Sequence, residues 1–163
     1  NLTDSKFNYN WSNCPYIKGA YHFFRPQYSG EKQALKFLSV INLTSGDILP
    51  VIDVEMTPYW RAKKNRKKAV KNLIQFVEKI EKQLGVTPLI YTTGAFWNTY
   101  VDPNYSDKEH LLWVADYRKK PKPFTPTDMD WIIWQYTNRG KVPGIRGWVD
   151  KNICKDLTSI LIK

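Results

Sequence analysis

Cysteine is nearly missing from this chain of 163 residues, with only Cys14 and Cys154 present. Two are too few for a disulfide scaffold or a cysteine-rich zinc site. Whether they bridge the ends of the chain or remain free buried thiols is open at this level. Histidine is as scarce. His22 reads as a satisfied strand residue and His110 as a surface residue. Neither belongs to a metal-ligand cluster, so no metal is expected. No apolar run reaches the roughly eighteen residues a membrane helix needs, so no membrane span is expected. Long low-complexity stretches are also missing. Asn1 opens a polar stretch without a signal-peptide pattern, as expected if the sequence starts after a removed leader or inside a longer gene product. Acidic residues are in deficit, 15 against 25 lysines and arginines, for a net charge of +10.

That charge attracts polyanions: nucleic acid, an anionic membrane or the acidic polymers of a bacterial wall. The cations crowd into Arg61–Lys71 and Arg118–Lys122. Any single cluster also reads as a solvated helix face, so charge ranks partners without choosing among them. Aromatic residues say more. They make up 15% of the chain, and many fall near the ends of expected strands. Flat rings stack on sugars as readily as on bases, and Trp and Tyr need partners for their polar atoms. Sequons begin at Asn1, Asn10, Asn42 and Asn104 and matter only in a eukaryotic secretory pathway.

The length and the 42% apolar content fit one domain over residues 1–163 with a real core. Strand-like and helix-like segments alternate. Ile17–Phe24 reads as a strand stopped by Arg25-Pro26, and Glu31–Asn42 carries Ala34, Leu35, Leu38 and Ile41 at helical spacing. Ala62–Leu84 is the clearest helix, with Val70, Leu73, Ile74, Val77, Ile80 and Leu84 in one stripe and Gly85 as its cap. Further strands are expected at Pro88–Thr93, Leu111–Tyr117, Trp131–Thr137 and Val149–Ile153. This alternation predicts an α/β fold with a parallel sheet, and such folds place their sites at the carboxyl ends of the strands.

The most informative stretch is Ile48–Glu55, a buried apolar strand that ends in two carboxylates. Asp53 and Glu55 are two residues apart, so on a strand they project to the same side with Cβ atoms roughly 6–7 Å apart. Paired carboxylates there suit acid/base chemistry on a polar, uncharged substrate such as a sugar. A polar strand end or one half of a metal site are the plain alternatives. Asp53 is expected to ionise first, its charge then keeping Glu55 protonated.

Six blocks fall in order: Gly19-Ala20-Tyr21-His22-Phe23-Phe24-Arg25-Pro26, Pro50-Val51-Ile52-Asp53-Val54-Glu55, Pro88-Leu89-Ile90-Tyr91-Thr92, Leu112-Trp113-Val114-Ala115-Asp116-Tyr117, Trp134-Gln135-Tyr136-Thr137 and Gly147-Trp148-Val149-Asp150-Lys151-Asn152. From about Phe7 onward the series closely resembles glycoside hydrolase family 25, the N-acetylmuramidases. The resemblance implies an irregular TIM-like β/α barrel that cleaves the β-1,4 bond between N-acetylmuramic acid and N-acetylglucosamine in peptidoglycan without metal or organic cofactor. It assigns Glu55 as proton donor, Asp53 as its partner and Asp150 as a further site carboxylate. Tyr21, Phe23, Tyr91 and Trp113 are expected to line sugar subsites, with Asp116 and Gln135 as hydrogen-bond partners. The resemblance also implies a secreted or cell-envelope location.

Members usually open with a strand reading like Gly-Ile-Asp-x-Ser followed by a second strand, and nothing here matches either, so the chain resembles a member lacking its first two strands. The barrel is therefore expected to be incomplete at its N-terminus, with an exposed sheet edge that invites self-association. A catalytically impaired peptidoglycan-binding relic is the second reading. A nucleic-acid binder is the third, and it is disfavoured because the basic runs lie in helix and loop regions away from the strand-end aromatics.

Overall fold

The computed structural model describes residues 4–105 and 110–163; the sequon at Asn1, and Ser106 of the sequon at Asn104, lie outside them. Four short strands, β1 (Tyr21–Phe23), β2 (Val51–Asp53), β3 (Leu89–Thr92) and β4 (Leu112–Ala115), run parallel beside one another. The longer β5 (Trp131–Gly140) continues the parallel run, and β6 (Val149–Cys154) returns antiparallel to it. Spatial order follows chain order. Among the described residues β1 and β6 each have one neighbour, so the sheet is an open, irregular β/α barrel. The antiparallel return of β6 was not legible from strand spacing.

Alternation along the strands separates two cores. Ile52, Val54, Ile90, Leu112 and Val114 point outward, into the layer of helices. Val51 and Leu89 point inward with Leu49, Ile133 and Ile160. The helices are α1 (Asp4–Asn13), α2 (Gly30–Leu38), α3 (Pro58–Arg61), α4 (Lys63–Leu84) and the single turn α5 (Gly94–Phe96), which runs on into a π-helical turn at Trp97–Val101. None of them is long and apolar enough to cross a membrane, among the described residues.

The expected crossover helices α2 and α4 are both present, with corrections at their faces. On α4 the buried face is Ala69, Val70, Asn72, Leu73, Phe76, Val77 and Ile80, while Ile74 and Leu84 only pack at its margin. On α2, Ala34 and Phe37 are buried and Leu35 is exposed. Gly85 closes α4 as expected, in the left-handed conformation (φ 68°) with its N–H bonded to the Glu81 carbonyl at 2.8 Å.

The first turn of α2 sits directly on α4. A Cβ on Gly30 would lie 1.7 Å from the Asn72 carbonyl oxygen. Beside this crossing the buried Asn72 amide donates to the Pro26 carbonyl at 2.8 Å, joining α4 to the loop ahead of α2. At the amino ends of the strands, the chain after β6 crosses back to the segment before β2. Leu49 N–H donates to the Ile160 carbonyl and Ile162 N–H to the Asp47 carbonyl, each at 2.8 Å. This strap lays Ile160 into the inner core and fills the end of the barrel opposite the strand carboxyl ends.

Neither cysteine is bridged, and neither is buried: Cys14 is half-buried and Cys154 exposed. His110 is a second correction. It is buried and sits 2.6 Å from the Tyr105 hydroxyl. His22 is the satisfied strand residue expected, 3.2 Å from Gln33 Oε1 and packed against the Phe37 and Phe76 rings.

Because Asn72 cannot retreat without pulling α4 off the sheet, Gly30→Ala is expected to cost about 2–3 kcal/mol. The measurement is a urea midpoint with unchanged slope. A midpoint within error of the parent would show that the two helices can part freely.

Candidate active site

The register of the sheet builds a cleft at the strand carboxyl ends. Asp53 pairs with Tyr91 across β2 and β3, and Tyr91 with Trp113 across β3 and β4. Residues level with one another in a parallel ladder share a face, so these three side chains point together into the barrel mouth. β2 ends at Asp53, yet Val54 N–H still bonds the Tyr91 carbonyl at 2.8 Å. That contact keeps the backbone extended for one more step and returns Glu55 to the side of Asp53.

The resulting cleft of about 320 Å³ is lined by Tyr21, Val51, Asp53, Glu55, Tyr91, Trp113, Gln135, Asp150 and Asn152. Seven of the nine expected site residues therefore meet in one place. Asp150 arrives from β6, on the wall opposite β2. Phe23 and Asp116 do not line the cleft. Phe23 carries the Arg25 guanidinium over its ring, 5.1 Å from the centroid. Asp116 is buried and saturated: Arg118 grips it with two bonds of 2.8 and 2.7 Å, and Phe124 N–H adds a third at 2.7 Å. It fixes the loop after β4 and has no oxygen to spare for a sugar.

Two lining residues were missed, Val51 and Asn152, and a third, Tyr117, holds the lining residue Gln135. Asn152 follows Asp150 by two on β6, so strand alternation alone points to it. The Trp113 indole N–H donates to Asn152 Oδ1 at 2.9 Å. An indole is only a donor, so this bond fixes which way round the amide sits. Gln135 Oε1 accepts from two phenols, Tyr91 at 2.9 Å and Tyr117. This pins Tyr91, whose ring also meets Trp113 edge-on at 5.4 Å. Nothing in the isolated sequence marks Tyr117 as different from its neighbours.

Burial dominates the electrostatics. Asp53 is pushed up to about 7, first by desolvation and then by the nearby Glu55 charge. One of its carboxyl oxygens, Oδ1, is buried without a hydrogen-bond partner among the described residues. Glu55 is also raised, by desolvation and then by Asp150, with the nearby Tyr91 hydroxyl acting in the opposite sense. The source of the repulsion expected from the sequence is therefore corrected. Asp53 is the more buried of the two, and Asp150 supplies the repulsion felt by Glu55. Both phenols facing the pair, Tyr91 and Tyr117, are raised as well, so they remain donors. Among the described residues no three His, Cys, Asp or Glu side chains are grouped as a metal site would group them. The arrangement is a pair of carboxyls whose proton affinity burial raises, with Asp150 across an aromatic-walled cleft.

A family model described as glycosyl hydrolases family 25 matches residues 1–145, ending before β6. Among curated proteins, uncharacterized protein YegX of Escherichia coli K12 is 35% identical over 156 residues, covering 93% of this chain and 54% of that protein. Lysozyme M1 of Streptomyces globisporus is 32% identical over 166 residues, covering 93% and 55%. The chain thus spans about half the length of the curated relatives it matches. Of the solved structures, the bacterial lysozyme from Streptomyces coelicolor superposes with a TM-score of 0.82 at 28% identity, over 99% of this chain and 79% of that one. A family 25 glycosyl hydrolase from Bacillus anthracis gives 0.75 at 30% identity, over 96% and 73%.

The Asp53 shift has a stability consequence of fixed sign. Its folded value, about 7, lies above the ordinary 3.8, so the native state holds the extra proton between them. Stability must then fall as pH rises through that window. Removing the titration with Asp53→Asn should flatten the decline by roughly 2–4 kcal/mol between pH 4 and pH 8. Urea midpoints of both proteins at the two pH values measure it. Parallel pH dependences would mean that Asp53 ionises freely.

Proposed function

The chain belongs to glycosyl hydrolases family 25, and on that premise we propose that it is a lysozyme-type muramidase acting on peptidoglycan outside the cytoplasm. The observation that carries the reading is the pairing of Asp53 and Glu55 in one cleft, where burial raises the proton affinity of both carboxyls.

In this reading the glycan strand lies along the cleft with its scissile β-1,4 bond, between N-acetylmuramic acid and N-acetylglucosamine, over Glu55. Glu55 holds its proton because ionising it would place a charge in a half-dry site facing Asp150. It donates that proton to the departing glycosidic oxygen. The unpartnered Asp53 oxygen accepts from the acetamido N–H of the sugar, turning the acetamido carbonyl toward the anomeric carbon as an internal nucleophile. Asp150 stabilises positive charge developing on the ring from the opposite wall. Tyr21, Tyr91 and Trp113 present ring faces and edges to the sugars, while Gln135 holds Tyr91 in place. Phe23 and Asp116 support the rim through Arg25 and Arg118 without touching substrate.

Glu55→Gln keeps the shape of the side chain and removes the acid. Turbidity loss of a bacterial wall suspension and release of new reducing ends should both drop by at least about 10²-fold. Equal rates for the two proteins would end the assignment, and binding without turnover in the unmutated chain would favour the relic instead.

A further inference from the structure

The β5–β6 hairpin has a part that the cleft does not use. β5 pairs with β4 only as far as Gln135, opposite Ala115. It then runs on to Gly140, which pairs with Val149. β6 covers the same span in the three steps from Asn152 to Val149, because β5 is bulged there, so the extension rises roughly 10 Å from the carboxyl end of the sheet, where the cleft opens. The hairpin tip therefore stands above the cleft rim. Asn152 at its base and Asp150 just below the tip form part of the cleft wall.

The tip is built rigidly. Ile145 N–H bonds the Val142 carbonyl at 3.1 Å around Pro143-Gly144, with Gly144 at φ 84° as a type II turn requires. Lys141 Nζ donates to the Gly147 carbonyl at 2.9 Å and sits 4.1 Å from the Trp148 ring centroid. Lysine occupies one face of the indole, yet Trp148 remains 64% exposed. No acidic residue occurs between Trp131 and Val149, while Arg139, Lys141 and Arg146 all do. An exposed indole with a cation on it, in a loop that also carries an arginine, suits a polymer that offers both sugar rings and carboxylates.

We propose that Lys141, Arg146 and Trp148 at the hairpin tip form a second binding site for the substrate, which grips a carboxylate-bearing glycan strand outside the cleft. The identity of that polymer rests on the muramidase reading. A strand seated over Glu55 and leaving the cleft past β6 meets the tip within a few sugar units. Tip binding then makes cleft binding effectively intramolecular, which favours long strands over short ones. Continuity with the cleft wall selects a glycan over a lipid surface, the other partner an apolar, cationic loop can serve.

The test uses the Glu55→Gln protein, so that binding is read without hydrolysis. Co-sedimentation with purified insoluble peptidoglycan is measured at low and at physiological salt for this protein and for the same protein carrying Arg146→Glu or Trp148→Ala. Each tip change should weaken binding about tenfold, with a shallower salt dependence for Arg146→Glu and an unchanged thermal midpoint in both. Equal pelleting of parent and tip variants, or no pelleting of the parent at low salt, overturns the proposal. So does tip-dependent binding to phosphatidylglycerol vesicles with tip-independent binding to walls. Tip-dependent wall binding in a chain whose Glu55 form releases no sugar ends would keep this site and remove the hydrolytic reading. Hydrolysis with tip-independent binding would do the reverse.

Discussion

The parallel ladder at the carboxyl ends of β2, β3 and β4 is the constraint on which the site depends. Level pairing of Asp53, Tyr91 and Trp113 leaves no choice of face, because a slip of one residue would turn all three into the outer core. The outer residues Ile52, Ile90 and Val114 enforce that register from the other side, since they are inaccessible and belong to one core cluster with the apolar face of α4. Hydrophobic packing of the outer layer thus holds polar groups in the inner one. A carboxyl with an unpartnered oxygen survives in the cleft because the sheet gives it nowhere else to go.

Two aspartates in the same protein show how surroundings, not residue type, set the chemistry. Asp116 and Asp53 are buried to a similar degree. Asp116 meets the Arg118 fork and a backbone N–H and is held at about 2. Asp53 meets a second carboxylate and aromatic walls and is driven to about 7. One is a fixed anion that ties a loop; the other is a group whose proton is exchangeable near neutrality. The cost of the second arrangement is borne by the fold, as sites that do chemistry commonly require.

Much of this was legible in the sequence because the strands are short apolar runs and α4 carries an unbroken stripe. Spacing alone put Asp53 and Glu55 on one side, and the structure keeps them there. What escaped was whatever depends on partners distant in sequence. Asp116 looked free because Arg118 and Phe124 bind it only once the following loop folds back. His110 looked exposed because its contact with Tyr105 lies within a chain segment that has no periodic pattern. Helix α1 was not anticipated. Its polar face dominates, and the Phe7–Trp11 stack with Lys18 over Trp11 is what its few apolar residues provide. The antiparallel turn at β6 escaped too, since a parallel prior had been set by five preceding strands.

The strap after β6 has an implication for how the molecule is made. Ile160 and Ile162 complete the inner core by pairing with residues 49 and 47, contacts between segments more than a hundred residues apart. Such non-local closure is slow relative to helix formation. On the ribosome, a nascent chain with β1 to β5 already emerged would still show an unfilled barrel floor. Emergence of the segment around Ile160 and Ile162, rather than docking of the long helix, is then the event that closes the barrel floor.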